Sequence, residues 1–91
     1  MATEEVVYTA LKYNIVTSSQ GTRRYFNNAN QLHREDGPAI ISPNGTKLWY
    51  QNDQCHRTDG PAIMWPDGRK WWYLNDRPLT EAEFNQRVKN V

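Results

Sequence analysis

Apolar positions in this chain come in short bursts: Ile15-Val16, Tyr25-Phe26, Ala39-Ile40-Ile41, Leu48-Trp49-Tyr50, Ile63-Met64-Trp65 and Trp71-Trp72-Tyr73-Leu74. Their Ile, Val, Trp and Tyr content is that of β-strands. Between them stand polar stretches of two kinds. Ser42-Pro43-Asn44-Gly45 and Trp65-Pro66-Asp67-Gly68 share the form x-P-[ND]-G, and Ser18-Ser19-Gln20-Gly21 is a weaker version. Proline presets φ, Asn or Asp suits the next position, and glycine takes the left-handed residue of a three-residue hairpin loop. The longer stretches, 27–38 and 52–61, carry Asn, Asp, Gly and Pro and read as polar linkers between hairpins.

The pattern repeats. His33-Arg34-Glu35-Asp36-Gly37-Pro38-Ala39-Ile40 returns 23 residues later as His56-Arg57-Thr58-Asp59-Gly60-Pro61-Ala62-Ile63, matching at seven of eight positions. Gly45-Thr46-Lys47-Leu48-Trp49-Tyr50 returns at the same offset as Gly68-Arg69-Lys70-Trp71-Trp72-Tyr73, and Gly21-Thr22-Arg23-Arg24-Tyr25-Phe26 is an earlier copy. A period of this length marks a repeat architecture. It predicts three antiparallel hairpins near 14–27, 38–52 and 61–75.

Counting outward from the turns sets Ser42 opposite Thr46, Ile41 opposite Lys47, Ile40 opposite Leu48 and Ala39 opposite Trp49. In the next unit Met64 faces Lys70, Ile63 faces Trp71 and Ala62 faces Trp72. Paired residues share a face, and neighbours along a strand alternate. One face then collects Val16, Phe26, Ile40, Leu48, Tyr50, Ile63, Trp65, Trp71 and Tyr73, and its richness predicts the core. The other collects Ile15, Tyr25, Ile41, Trp49, Met64 and Trp72, with Ala39, Ala62, Arg23, Lys47 and Lys70.

Past residue 79 the repeat stops. Thr80 as N-cap and Glu83 as its capping-box partner open a helix predicted over about 80–90, with Leu79 and Phe84 set for a hydrophobic staple. Phe84, Val88 and Val91 lie on its apolar stripe. Residues 6–15 read as a strand capping the other end, and 1–5 as frayed. The organisation is thus one mainly β domain over 1–91: N-terminal cap strands to residue 20, repeats over 21–79, and a capping helix over 80–91.

Composition narrows the classes. Eleven Lys and Arg against ten Asp and Glu give a net charge of +1, too little to draw in nucleic acid or anionic lipid. No apolar run approaches the roughly 20 residues of a membrane span, and no signal-peptide pattern opens the chain. One cysteine, Cys55, allows no internal disulfide and fits a reducing, cytoplasmic compartment.

Candidate chemistry is sparse. His33 and His56 recur, but equivalent positions two strands apart are about 9–10 Å from each other, too far for one zinc ion. Hydrogen bonds ordering each linker are the plainer role. Arg34 with Asp36, and Arg57 with Asp59, read as ion-paired turn residues. Neither a G-x-S-x-G nor a P-loop is present, and nothing marks Cys55 as a nucleophile. The chain therefore reads as no enzyme, with no metal and no cofactor. The sharper signal is the column Tyr25, Trp49 and Trp72, flanked on the same face by Arg23, Lys47 and Lys70. These six are the predicted partner-binding residues, because aromatic rings and cations dominate protein interfaces. A two-fold homodimer would bury the same patch. Single-stranded nucleic acid, or a small ligand stacked on the rings, is the alternative.

The 23-residue period with its H-R-x-D-G-P-A spelling and W-Y after the turn resembles divergent MORN-like repeats, over residues 21 to about 79. Gly37-Pro38, Gly60-Pro61, Asn28 and Asn52 depart from the usual MORN spelling. The resemblance implies a meander of hairpins in one curved sheet, and binding of protein rather than catalysis. Repeats of this spelling are common in small bacteriophage proteins. By that association it also implies a protein that binds and inhibits a host component, such as a defence complex, in the host cytoplasm.

Overall fold

The computed structural model describes residues 13–89 in full and the backbone of 6–9. The readings of 1–5 as frayed, of Val91 on the helix stripe, and of residues 10–12 lie outside the described residues. The one strand predicted over 6–15 is instead two, Val6–Thr9 and Asn14–Thr17, paired antiparallel with each other.

In chain order the elements are β1 (Val6–Thr9), β2 (Asn14–Thr17), β3 (Arg23–Phe26), β4 (Ile40–Ile41), β5 (Lys47–Leu48), β6 (Tyr50–Gln51), β7 (Gln54–Cys55), β8 (Ile63–Met64), β9 (Lys70–Leu74), β10 (Arg77–Leu79) and α1 (Glu81–Lys89). Eight of the strands form one antiparallel meander in the order β1-β2-β3-β4-β5-β8-β9-β10, and β6 pairs with β7 beside it. The three predicted hairpins are β2–β3, β4–β5 and β8–β9. Their loops close as the x-P-[ND]-G pattern requires: Gly21, Gly45 and Gly68 sit at φ of 95°, 98° and 94°, a region in which a Cβ is strained. Asn44 and Asp67 each accept the N–H two residues on, at 3.0 Å.

The predicted register holds at Ile41↔Lys47, Ile40↔Leu48, Met64↔Lys70 and Ile63↔Trp71. It slips at the alanines. Ala39 N–H donates to the carbonyl of Leu48 and Ala62 N–H to that of Trp71, so each strand carries an extra residue there, as in a β-bulge.

The linkers hold more order than their polarity implies. Asn52 and Asp53, at φ of 51° and 66°, make a two-residue turn that folds β6 onto β7. Asn75 and Asp76, at 49° and 68°, do the same between β9 and β10. Two successive positive φ values define the type I′ turn, whose twist matches that of paired strands. At α1 the capping box is formed: Thr80 N–H donates to Glu83 Oε1 at 2.9 Å, and Glu83 N–H to Thr80 Oγ1 at 3.1 Å.

The predicted core face is inverted. The buried residues are Tyr13, Tyr25, Ala39, Thr46, Cys55, Ala62 and Phe84, with Ala39 and Ala62 wholly inaccessible. Tyr25 belongs to the face read as exposed, whereas Trp65 and Trp71 of the supposed core are 37% and 48% accessible. The reason lies in the linkers, which fold back over the Tyr25–Trp49 side and make a second layer there. The molecule is correspondingly thin, 50 × 30 × 17 Å. Its surface of 6202 Å² exceeds the about 5,500 Å² typical of a compact protein of this mass.

Candidate functional site

Each His-Arg-x-Asp-Gly-Pro-Ala segment is a packing device, and its parts can be assigned one by one. The arginine lies flat on an aromatic ring: Arg34 Cζ is 4.0 Å from the centroid of Tyr25, and Arg57 Cζ 3.9 Å from that of Trp49. Each guanidinium also pairs with the nearby aspartate, at 3.0 Å for Asp36 and 2.8 Å for Asp59. Each donates to a proline carbonyl as well, Pro38 at 3.2 Å and Pro61 at 3.0 Å. The glycine leaves room for this: a Cβ on Gly37 or Gly60 would come within 2.9 Å of the arginine Cζ. The hydrogen bond from Arg34, with its positive charge, holds the Asp36 carboxyl below its ordinary range.

The histidine binds the next unit. His33 Nδ1 accepts the Asn52 N–H at 3.1 Å, and His56 Nδ1 accepts the Asn75 N–H at 3.0 Å. The aspartate of each type I′ turn completes the clasp. Asp53 Oδ1 accepts from Leu32 N–H, and Asp76 Oδ1 from Cys55 N–H, both at 2.7 Å. Both histidines thus order the linkers, as the plainer of the two sequence readings held. Among the described residues no three of His, Cys, Asp and Glu gather as a metal site would need. Burial, with the nearby Asp76 charge adding to it, pushes the Cys55 thiol up to about 12, so it stays protonated and a poor nucleophile at neutral pH.

The six predicted partner-binding residues divide. Tyr25 is 6% accessible, covered by Arg34 and met edge-on by Tyr13 at 5.8 Å, so it packs inside the molecule. Trp49 is half-buried beneath Arg57. Trp72 is half-buried, while Arg23, Lys47 and Lys70 are exposed. The register does bring the three cations together, in the cross-strand row Arg23, Ile41, Lys47, Met64 and Lys70. The missed feature is the arginine cover, although an arginine eight or nine residues after Tyr25 and Trp49 was its visible trace.

The other face carries the row Val16, Arg24, Ile40, Leu48, Ile63 and Trp71, in direct register across six strands. All are half-buried except Trp71, which is exposed. Trp65 continues this side by alternation, its ring 5.6 Å from Arg69 Cζ. No protein-family model matches the chain, and no curated protein or solved structure matches it. No helix among the described residues is long and apolar enough to cross a membrane.

Proposed function

We propose that this chain is a non-enzymatic, MORN-like protein-binding module whose docking surface is the Ile40–Leu48–Ile63–Trp71 row with Trp65. The observation that carries this is the accessibility of Trp71 and Trp65 at the end of a continuous apolar row. Contiguous apolar surface of this kind is a usual mark of an interface, and tryptophan is the side chain most often found at its centre. Against catalysis stand the histidines, arginines and aspartates of the repeat, each engaged in holding the linkers. The resemblance extends the proposal to a bacteriophage protein acting on a host component in the cytoplasm.

The test is affinity purification from host cells with the wild type and a Trp65→Ser, Trp71→Ser variant whose near-ultraviolet circular dichroism shows an intact fold. A partner retained by the wild type and lost by the variant supports the reading. Equal recovery by both overturns it. So does recovery of nucleic acid that salt releases steeply, since phosphate contacts weaken with ionic strength and apolar ones do so far less. A homodimer through this row would appear in sedimentation as a dimer that the variant abolishes.

A further inference from the structure

The internal repeat specifies what should lie on each aromatic ring of the Tyr25–Trp49–Trp72 column, and the last unit breaks the rule. Arg34 covers Tyr25 and Arg57 covers Trp49. The 23-residue offset carries Trp49 to Trp72 but Arg57 to Thr80. Thr80 is short, and its backbone N–H and hydroxyl are both engaged in the capping box. Among the described residues, cations stack on Tyr25, Trp49 and Trp65, and none stacks on Trp72. Instead a groove of about 390 Å³ runs beside it, lined by Lys70, Trp71, Trp72, Leu79, Glu81 and Glu83 among others.

We propose that this groove receives an arginine side chain from a partner protein, stacked on Trp72 as Arg57 is stacked on Trp49. The charge fits. Glu81 and Glu83 stand in the first turn of α1 and supply the carboxylate that Asp59 supplies one unit earlier, while Lys70 is the one cation in the lining. Glu83 gives one oxygen to the Thr80 N–H and keeps the other. Arg77 and Arg87, the two arginines that follow Trp72 in the chain, line a separate depression with Leu74 and Asn75. A guanidinium suits the site better than an ammonium because its plane stacks on a ring while its edge grips a carboxylate. Nucleic acids and phospholipid headgroups carry no such group, so the occupant is protein. Trp71, at the end of the apolar row, also lines this groove, so the two surfaces adjoin, but the stack on Trp72 does not rest on that row being a docking surface.

The probe is the capped tripeptide acetyl-Gly-Arg-Gly-amide, with its lysine counterpart, titrated into the full chain. The four tryptophan indole N–H resonances, assigned by single substitution, report by NMR. The expected result is a saturable shift of the Trp72 indole, with the arginine peptide bound about fivefold more tightly than the lysine one. A Glu81→Gln, Glu83→Gln variant, whose glutamine still closes the capping box, should weaken binding about fivefold and leave the backbone spectrum in place. The absence of a saturable shift, a shift confined to Trp65 or Trp71, or equal binding of the two peptides overturns the proposal. Because Trp71 also lines the groove, the Glu81→Gln, Glu83→Gln variant is what separates the two readings: it should leave capture through the Trp71 row unchanged.

Discussion

Arg57 joins three groups that stand apart in the sequence: a ring, a carboxylate and a carbonyl. The three contacts differ in weight. Asp59 is 82% exposed, so the ion pair itself contributes little. The stack on Trp49 and the bond to the Pro61 carbonyl, on an arginine only 21% exposed, carry most of the effect. Arg57→Ala should therefore cost about 2 kcal/mol. Gly60→Ala should cost about 1 kcal/mol by pushing the guanidinium off the ring, an overpacking penalty. In the Arg57→Ala background the same Gly60→Ala change should cost nearly nothing, because the atom it would meet is gone. Urea unfolding of the four proteins in this cycle measures the coupling.

At the scale of elements, the type I′ turns show a side-chain bond outweighing backbone preference. Glycine is the favoured second residue of such a turn, yet Asp53 and Asp76 occupy that position at φ of 66° and 68°. Asp76→Gly would relieve a conformational cost of roughly 0.5–1 kcal/mol. It would also leave the N–H of buried Cys55 without its carboxylate, a bond to a charged group worth about 1.5–3 kcal/mol. The lost bond outweighs the relieved strain, so Asp76→Gly should lower stability by about 1 kcal/mol, read as a lower urea midpoint. Asp76→Asn, which keeps an acceptor, should recover part of the loss. Each turn is thus also a clasp on the unit before it.

Over the whole molecule, stability is passed from neighbour to neighbour along the meander. Phe84, at 3%, is the one buried residue of α1, with Val88 half-buried beside it, so the helix is anchored chiefly by one ring. Phe84→Ala should cost about 3–4 kcal/mol, a large share of the total for a chain of this length. The damage should be uneven. Hydrogen exchange should accelerate first in β8, β9 and β10, while the amides of Arg24 and Tyr25 in β3 keep most of their protection. Uniform acceleration along the sheet would show instead that the units unfold together.

The hairpins, their glycine-closed loops, most of the register and the capping box were legible in the sequence because each depends on residues close along the chain. The x-P-[ND]-G loops and the 23-residue offset state them directly. Which face is buried was not legible. Alternation sorts Ile40, Leu48 and Trp71 from Tyr25, Trp49 and Trp72, but it does not say which set is covered. That was decided by where the linkers lie, with Arg34 and Arg57 laid over rings eight or nine positions earlier in the chain. The aromatic column was visible as a set, and its role was not. The fold uses Tyr25 and Trp49 for its own interior, and the change from arginine to Thr80 in the last unit sets Trp72 apart. Local chemistry writes the strands and turns, whereas burial depends on what else in the chain reaches each face, and only the tertiary structure decides that.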